Sequence, residues 1–239
     1  MNNKLSWKIR SNIIAPWIKT IQSLMWNNIQ KIIKNSTNKD IDELLENSNN
    51  KSMAIVWNSP NVINKWLGPE IDSHDYVLRF NRWVDSNYLN NTDTWTKTTH
   101  WSTWTLDTLT YYNLQQDTLE RVKFIIPFAF QNSKNKNVWL NTLLLNTKQW
   151  YKNTDKYYVD NLFYDSLYQE LWSEPSSGFV FINYFLLKTA IEKISLYWFD
   201  FSTNNRITWD TYAKQHDFEK ESVKINTLIE QYRDRIKLK

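Results

Sequence analysis

The pattern of apolar and polar residues from position 52 onward predicts short strands that alternate with helices. Four apolar runs indicate buried strands at 53–56, 76–80, 122–130 and 194–197. Two further segments, 179–190 and 218–239, predict helices, the second with an inward face made of Val223, Ile225, Leu228, Ile229 and Tyr232. Strands that alternate with helices predict an α/β sheet covered on both faces.

Residues 1–50 have a different pattern and predict a separate helical extension. Apolar residues recur there at three- or four-residue spacing, the period of one helix face, and lysines lie off that stripe. We assign residues 1–50 to a basic amphipathic helix and its linker, and residues 51–239 to the main domain. The helix either packs on that domain or lies on an anionic membrane surface. Residues 131–165, rich in Asn, Lys and Tyr, predict a loop or lid.

The composition argues against several classes of protein and site. The apolar runs all fall short of about 18 residues, so we expect no membrane-spanning helix; the N-terminus also lacks the features of a secretion signal. The absence of cysteine excludes disulfides, thiolate zinc sites and a cysteine nucleophile. The three histidines lie far apart, so we expect no metal site. The net charge of +4 suits an anionic ligand, but the basic residues are scattered and we expect no nucleic-acid partner.

Glycine is scarce in this chain and tryptophan is abundant. Ordinary domains contain about 7% glycine, or about 17 residues at this length, whereas the sequence has 2 Gly and 14 Trp. An α/β domain needs glycine wherever its backbone adopts positive φ or lies against a ligand. We therefore interpret many of these tryptophans as positions where the functional protein has glycine. A UGA codon that the source organism reads as glycine would produce this pattern.

Two segments have the residue types that bind a phosphate beyond the carboxyl ends of strands. They are Asn58, Ser59 and Asn61 in the turn after the first strand, and Ser176, Ser177 and Gly178 before the helix at 179–190. The second segment supplies an N-cap hydroxyl, free backbone N–H groups and the positive end of a helix dipole. A plain helix cap is the alternative interpretation of the serine pair.

Among the histidines, His216 is the candidate general base. A histidine with an ordinary pKa of about 6.5 can accept a proton at neutral pH. His74 lies just before a predicted strand, where we expect structural hydrogen bonds, and His100 fits either role. From the residues alone, the sequence predicts a nucleotide-binding α/β domain with one candidate base.

Three segments resemble, in the same order, the sialylmotifs of the animal-type sialyltransferase family. Residues 54–59, 67–81 and 96–100 resemble the large sialylmotif, and residues 175–178 through 196–199 resemble the small one. His216 and Glu221, with four residues between them, are similar to the very short C-terminal motif. The resemblance covers about residues 52–222.

The resemblance implies a single GT-A-like (Rossmann-like) glycosyltransferase domain, preceded here by the helical extension. It implies an inverting transfer of sialic acid from CMP-sialic acid to a glycan hydroxyl, with His216 as base and without metal or cofactor. By the same resemblance, the residues that hold the donor are Asn58, Ser59, Asn61, Asn81, Ser176, Ser177 and Gly178, and Trp198, if glycine, would let the cytidine approach the backbone.

This chain departs from the family pattern in several ways. Tryptophan stands at family glycine positions, namely Trp57, Trp66, Trp95 and Trp198. The family's paired cysteines correspond to Met53 and Ile191, and the histidine of its third short motif is not found. These departures favour a bacterial, cytoplasmic enzyme. Contact with the inner membrane face through the N-terminal helix stays open beside packing of that helix on the domain, which we favour. Two alternatives stay open: a transferase for CMP-Kdo or another CMP-nonulosonate, and a non-catalytic protein of the same fold that binds CMP or glycans.

Overall fold

The computed structural model describes residues 38–45, 47–57, 64–80, 97–102, 122–126, 156–197, 199 and 216–239. By its internal contacts the chain divides into Met1–Asn38 and Lys39–Lys239. Most of the predicted helical extension lies outside the described residues. Residues 39–50, which the sequence pattern assigned to that extension, fall in the second unit, where Ile41 and Leu45 are buried in the core.

The described residues form an eight-stranded sheet with the order β1-β6-β5-β4-β3-β2-β7-β8. Its strands are β1 Asn38–Asp40, β2 Ser52–Val56, β3 Tyr76–Phe80, β4 His100–Ser102, β5 Lys123–Ile126, β6 Lys156–Tyr158, β7 Lys193–Tyr197 and β8 Ile236–Leu238. Every pairing from β6 across to β8 is parallel. The central strand β2 lies between β3 and β7, so that Ile55 is opposite Leu78 on one side and Leu196 on the other.

Five helices belong to the described part of the chain. They are α1 Ile41–Leu45, α2 Gly68–Asp72, α3 Asn161–Leu171, α4 Ser177–Lys188 and α5 Phe218–Gln231. In α4, all residues from 178 to 186 are buried. A helix that is apolar all round belongs in the interior of a protein, and α4 is accordingly the central helix of the core.

Successive strand residues face opposite sides of the sheet and build a core on each side. On one side, Met53, Ile55 and Leu78 belong to a large cluster with the residues of α4. On the other side, Ala54, Val56, Val77 and Tyr197 pack with Ile71 of α2. The predicted α/β sheet with both faces covered is confirmed.

The strongest local patterns gave the correct elements. The strands predicted at 53–56, 76–80 and 194–197 are confirmed as β2, β3 and β7, and the helix predicted at 179–190 is confirmed as α4. The strand predicted at 122–130 is present over Lys123–Ile126, and the residues after it lie outside the described part.

Two predictions about the C-terminal segment were wrong. Residues 218–239 are not one helix, because α5 ends at Gln231 and Ile236–Leu238 form the edge strand β8. A three-residue strand has no periodicity to detect, and its pairing with β7 is a tertiary contact. Val223, expected on the inward face, is 62% exposed. The other predicted residues do face inward, since Ile225 is buried and Leu228, Ile229 and Tyr232 pack against the core, but the buried face also contains Glu221.

The segment 131–165 is also not wholly a loop. Its described part contains strand β6 and the beginning of α3, which starts after the N-cap Asp160. The Asp160 carboxylate accepts a hydrogen bond from Phe163 N at 3.1 Å. An aspartate at this position is a typical helix start, but it lay within a polar stretch that resembled a loop.

His74 makes the structural contacts expected from the sequence. Its Nδ1 lies 3.0 Å from the Glu70 carbonyl oxygen, and its Nε2 lies 3.0 Å from Ser195 Oγ. The ring therefore ties the end of α2 to strand β7. Met53 and Ile191, at the family's cysteine positions, are fully buried in the same cluster, so apolar packing occupies both places.

Strand order creates a crevice beside β2. The chain proceeds from β2 through β3, β4, β5 and β6 on one side, whereas β7 and β8 lie on the other. Ligands of open parallel sheets bind outside the carboxyl ends of strands at such a switch point. A ligand site is therefore expected at the carboxyl ends of β2 and β7.

Candidate active site

A backbone hydrogen bond continues the pairing of β2 and β7 one residue beyond the end of β2. Trp57 N donates a hydrogen bond to the Tyr197 carbonyl oxygen at 3.0 Å. Helix α4 begins at the same edge: a Cβ placed on Gly178 would overlap Cζ3 of Trp57 and would lie 3.1 Å from Cε1 of Phe199. The first turn of α4 thus lies directly against the ends of both strands.

Ser176 is the N-cap of α4. Its Oγ accepts a hydrogen bond from Phe179 N at 3.2 Å, and its backbone is extended, as at a typical N-cap. The Val180 N–H is bonded to the Ser176 carbonyl oxygen. The N–H groups of Ser177 and Gly178 are therefore the donors at this terminus that no carbonyl within the helix can satisfy. No acidic residue lies in the first turn to oppose an anion there.

Glu221 holds Ser176 from the neighbouring helix α5. Its carboxylate accepts hydrogen bonds from both Ser176 N and Ser176 Oγ, each at 2.6 Å, and the side chain is buried. Sequence reasoning named Glu221 only as part of a motif and missed this role. A signal was present, because Phe218, Glu221 and Ile225 follow helical spacing and form the buried face of α5.

His216 lies just before α5 and has a defined tautomer. Its Nδ1 is 2.7 Å from the Glu174 carbonyl oxygen. Since a carbonyl can only accept, Nδ1 carries the proton, and the lone pair of the neutral ring is on Nε2. The ring also makes an edge contact with Phe218 at a centroid distance of 5.5 Å. Nε2 is thus the ring nitrogen of His216 that can accept a proton.

Asp217 begins helix α5 beside His216. Its carboxylate accepts a hydrogen bond from Lys220 N at 3.1 Å and pairs with Lys220 Nζ at 3.1 Å. These hydrogen bonds lower the pKa of Asp217. The cap fixes where α5 starts and therefore where His216 stands.

Burial shifts the pKa values of two side chains near His216, Glu174 and Tyr164. Burial raises the pKa of the Glu174 carboxyl. Burial also raises the pKa of the Tyr164 hydroxyl, with a smaller contribution from the negative charge of Glu174. Burial thus disfavours the charged form of both side chains.

The structure brings together four of the predicted site residues. His216 is bonded to residue 174, and Ser176, Ser177 and Gly178 follow two residues later. The other predicted donor residues, Asn58, Ser59, Asn61, Asn81 and Trp198, lie outside the described residues.

Described neighbours of those remaining residues converge on one point. Trp57 precedes residue 58, Phe80 precedes residue 81, and Phe199 follows residue 198. The Trp57 ring centroid is 5.5 Å from that of Phe80 and 5.0 Å from that of Phe199. Three chain segments with predicted donor residues therefore meet in front of α4.

The residues that the structure describes contain neither a cluster of metal-binding side chains nor a membrane-spanning helix. Among the described residues, no group of three or more His, Asp or Glu side chains could hold a metal ion. Within the same residues, each helix is too short or too polar to cross a bilayer.

The parallel sheet with its topological switch point, the capped N-terminus of α4 and the nearby histidine define an α/β domain with an open parallel sheet and a candidate site at the carboxyl edge of its strands. The model of the family Glycosyltransferase family 29 (sialyltransferase) matches residues 2–196. Because this match covers most of the chain, the protein belongs to that family, as the motif resemblance predicted.

Individual relatives agree with this assignment over shorter stretches. The human CMP-N-acetylneuraminate-beta-galactosamide-alpha-2,3-sialyltransferase 1 is 35% identical over 89 residues, which are 35% of this chain and 26% of the human protein. The pig enzyme of the same name is 33% identical over 89 residues, 35% of this chain and 25% of its own length. The matched stretch thus spans about a quarter of these curated relatives.

Solved structures confirm the fold over a longer span. A crystal structure of a mammalian sialyltransferase superposes with a TM-score of 0.58 at 21% identity, over 89% of this chain and 78% of that one. A structure of a mammalian sialyltransferase in complex with Gal-beta-1-3GalNAc-ortho-nitrophenol gives a TM-score of 0.57 with the same identity and coverage.

Proposed function

We propose that this protein is an inverting, CMP-sugar-dependent glycosyltransferase that moves sialic acid from CMP-sialic acid to a hydroxyl of a glycan acceptor. Membership of the sialyltransferase family supports the donor and the acceptor class. The observation that carries the mechanism is the approach of His216, through the Glu174 carbonyl, to the N-terminus of α4.

The donor phosphate would lie at the start of α4. The N–H groups of Ser177 and Gly178 and the Ser177 hydroxyl can donate to phosphate oxygens, and the helix dipole favours the negative charge. Ser176 cannot serve the phosphate in the same way, because its N–H and hydroxyl both bind Glu221. Ser176 would therefore position the helix terminus while its neighbours bind.

His216 would act as the general base. Nε2 removes the proton of the acceptor hydroxyl while that oxygen forms a bond to the anomeric carbon of the sugar. The bond from that carbon to the CMP phosphate oxygen breaks from the opposite face, CMP leaves with the electron pair, and the configuration inverts. A positioned base typically contributes about 10²–10⁴-fold to the rate.

The proposal includes the partners and the place of action. We propose that the enzyme works without a metal or other cofactor and meets its acceptor on the cytoplasmic side of a membrane. Contact with that membrane would come from the N-terminal helix, whose residues lie outside the described part. This contact stays a prediction.

The test is CMP release from CMP-sialic acid with mixed glycan acceptors in buffer with EDTA. The enzyme and its Trp57→Gly variant are each compared with a form that also has His216→Ala. We expect His216→Ala to reduce release by at least 10²-fold and to leave CMP affinity, measured by calorimetry, unchanged. Release that is insensitive to His216→Ala would overturn its role as base.

The choice of donor distinguishes the alternatives. Release from CMP-Kdo but not from CMP-sialic acid would show the second donor class. Absence of release with every donor, together with retained CMP affinity, would favour a binding protein that has lost turnover.

A further inference from the structure

Two tryptophans lie in backbone conformations that tryptophan rarely adopts. Trp66 has φ 55° and Trp172 has φ 56°, both in the left-handed region. The other described residues of this kind, Asn50 and Asn64, are asparagines, which tolerate the conformation. The indoles of Trp66 and Trp172 are 67% and 86% exposed, so burial of the rings offsets little of the backbone strain.

Position 172 is a standard glycine position by its place in the fold. It is the C-cap of α3, and its N–H donates to the Tyr168 carbonyl oxygen at 2.9 Å. Helices very commonly end with a left-handed residue that makes such a bond, and that residue is usually glycine. No sequence motif points to position 172, so this observation is independent of the family resemblance.

A third tryptophan occupies the switch-point crevice itself. The ring of Trp57 lies between Phe80 and Phe199 and against the first turn of α4, where a Cβ on Gly178 would be 2.8 Å from its Cε3. The indole therefore fills the space beside the first turn of α4. A glycine at position 57 would leave an aromatic-walled slot in the same place.

We propose that glycine is the functional residue at positions 57, 66 and 172, and that glycine at position 57 opens the nucleotide slot. This inference rests on the proposed function for the identity of the ligand. The slot is bordered by the rings of Phe80 and Phe199 and by the first turn of α4. Those features fit a nucleoside monophosphate, with the base between the rings and the phosphate at α4.

The first experiment compares CMP binding by the unmodified chain with binding by Trp57→Gly, Trp57→Ala and Trp57→Phe. We expect calorimetry to give an affinity gain of at least tenfold for Gly, a smaller gain for Ala and none for Phe, which still fills the slot. We also expect CMP to raise the Tm of Trp57→Gly more than that of the unmodified chain.

The outcomes separate this inference from the proposed function. Equal CMP affinity of the unmodified chain and Trp57→Gly would overturn the proposal that Trp57 blocks the slot, and would leave the transferase proposal unaffected. Absence of CMP binding by both, while circular dichroism shows both folded, would overturn the donor site and the slot together.

The second experiment measures Tm for Trp66→Gly and Trp172→Gly, with Trp101→Gly as the control. Relief of strain should raise Tm by about 2–8 °C in each of the first two. Trp101 is fully buried in the regular strand β4, so glycine there should lower Tm. A fall in Tm for Trp66→Gly and Trp172→Gly would contradict the proposal.

Peptide mass spectrometry of the protein purified from its source organism tests the proposal directly. Glycine at 57, 66 and 172 would support it even if a recombinant variant failed to fold. Tryptophan at these three positions would overturn it.

Discussion

The backbone N–H and the hydroxyl of Ser176 both donate hydrogen bonds to the carboxylate of Glu221, each at 2.6 Å. Both residues are buried, and 45 positions of sequence separate them. The contact ties the start of α4 to α5 and thereby keeps the N-terminus of α4 at a fixed place relative to His216. The motif glutamate is in this structure a positioning residue.

Replacement of Glu221 should therefore affect both stability and donor binding. Glu221→Ala leaves two buried donors of Ser176 without an acceptor, which costs about 1–3 kcal/mol for each. Urea unfolding should show this loss, and calorimetry should show weaker CMP binding. Glu219→Ala, an exposed change in the same helical turn, is the control. Equal stability of the two variants would contradict the positioning role.

Positions 57 and 178 should be energetically coupled. In the unmodified chain, Gly178→Ala places a methyl group against the Trp57 ring, and overpacking of this kind costs about 1–3 kcal/mol. In the Trp57→Gly background that ring is gone and only the contact with Phe199 at 3.1 Å remains, so the same change should cost clearly less. A double-mutant cycle by urea unfolding measures the coupling. Additive effects would show that the ring does not press on α4.

His100 should make stability depend on pH between about 6.5 and 4. Burial lowers the pKa of His100 to about 4, with a further contribution from the positive charge of Lys123. The unfolded chain, with a pKa of about 6.5, binds the proton more readily, so stability is constant above that pH and falls below it. The slope is at most about 1.4 kcal/mol per pH unit. Urea unfolding of His100→Gln across this range should lack the slope.

Asp75 should make stability depend on pH in a separate, more acidic range. Its carboxylate accepts hydrogen bonds from Ser52 N and Lys51 Nζ, which lower its pKa to about 2. Because its pKa is lowered in the folded protein, Asp75 stabilises the fold above about pH 4, and this stabilisation disappears as the pH falls toward 2. Asp75→Asn should flatten the unfolding curve there and leave the His100 window unchanged. An unaltered curve below pH 4 would refute the prediction.

Arg235 should stabilise the C-terminal end of α4. Its guanidinium donates to the carbonyl oxygens of Leu186, Thr189 and Ile191, at 2.7–3.2 Å. Loss of a charged donor of this kind costs about 1.5–3 kcal/mol. Arg235→Ala should therefore lower the unfolding free energy, whereas Arg233→Ala, on an exposed residue of the same turn, should not. Urea unfolding of both variants checks this.

The identity of the central elements could be predicted from the sequence because their signals are local. Strands β2, β3 and β7 and helix α4 are continuous apolar runs, which favour one secondary structure wherever they lie. The edge strands β1 and β8, and β6 beside β1, are three residues each and acquire their structure only by pairing with a neighbour. Sequence patterns of that length do not distinguish strand from loop.

The sequence also determined which residue types the site would have: a capped helix start, a histidine and a glutamate in motif spacing. Only the tertiary structure decided what they contact. The carbonyl of Glu174, 42 residues earlier in the chain, fixes the tautomer of His216. Trp57 fills a crevice that exists because β7 pairs with β2. Local periodicity follows from backbone geometry, whereas these contacts depend on strand order. Strand order is set by the packing of the whole sheet.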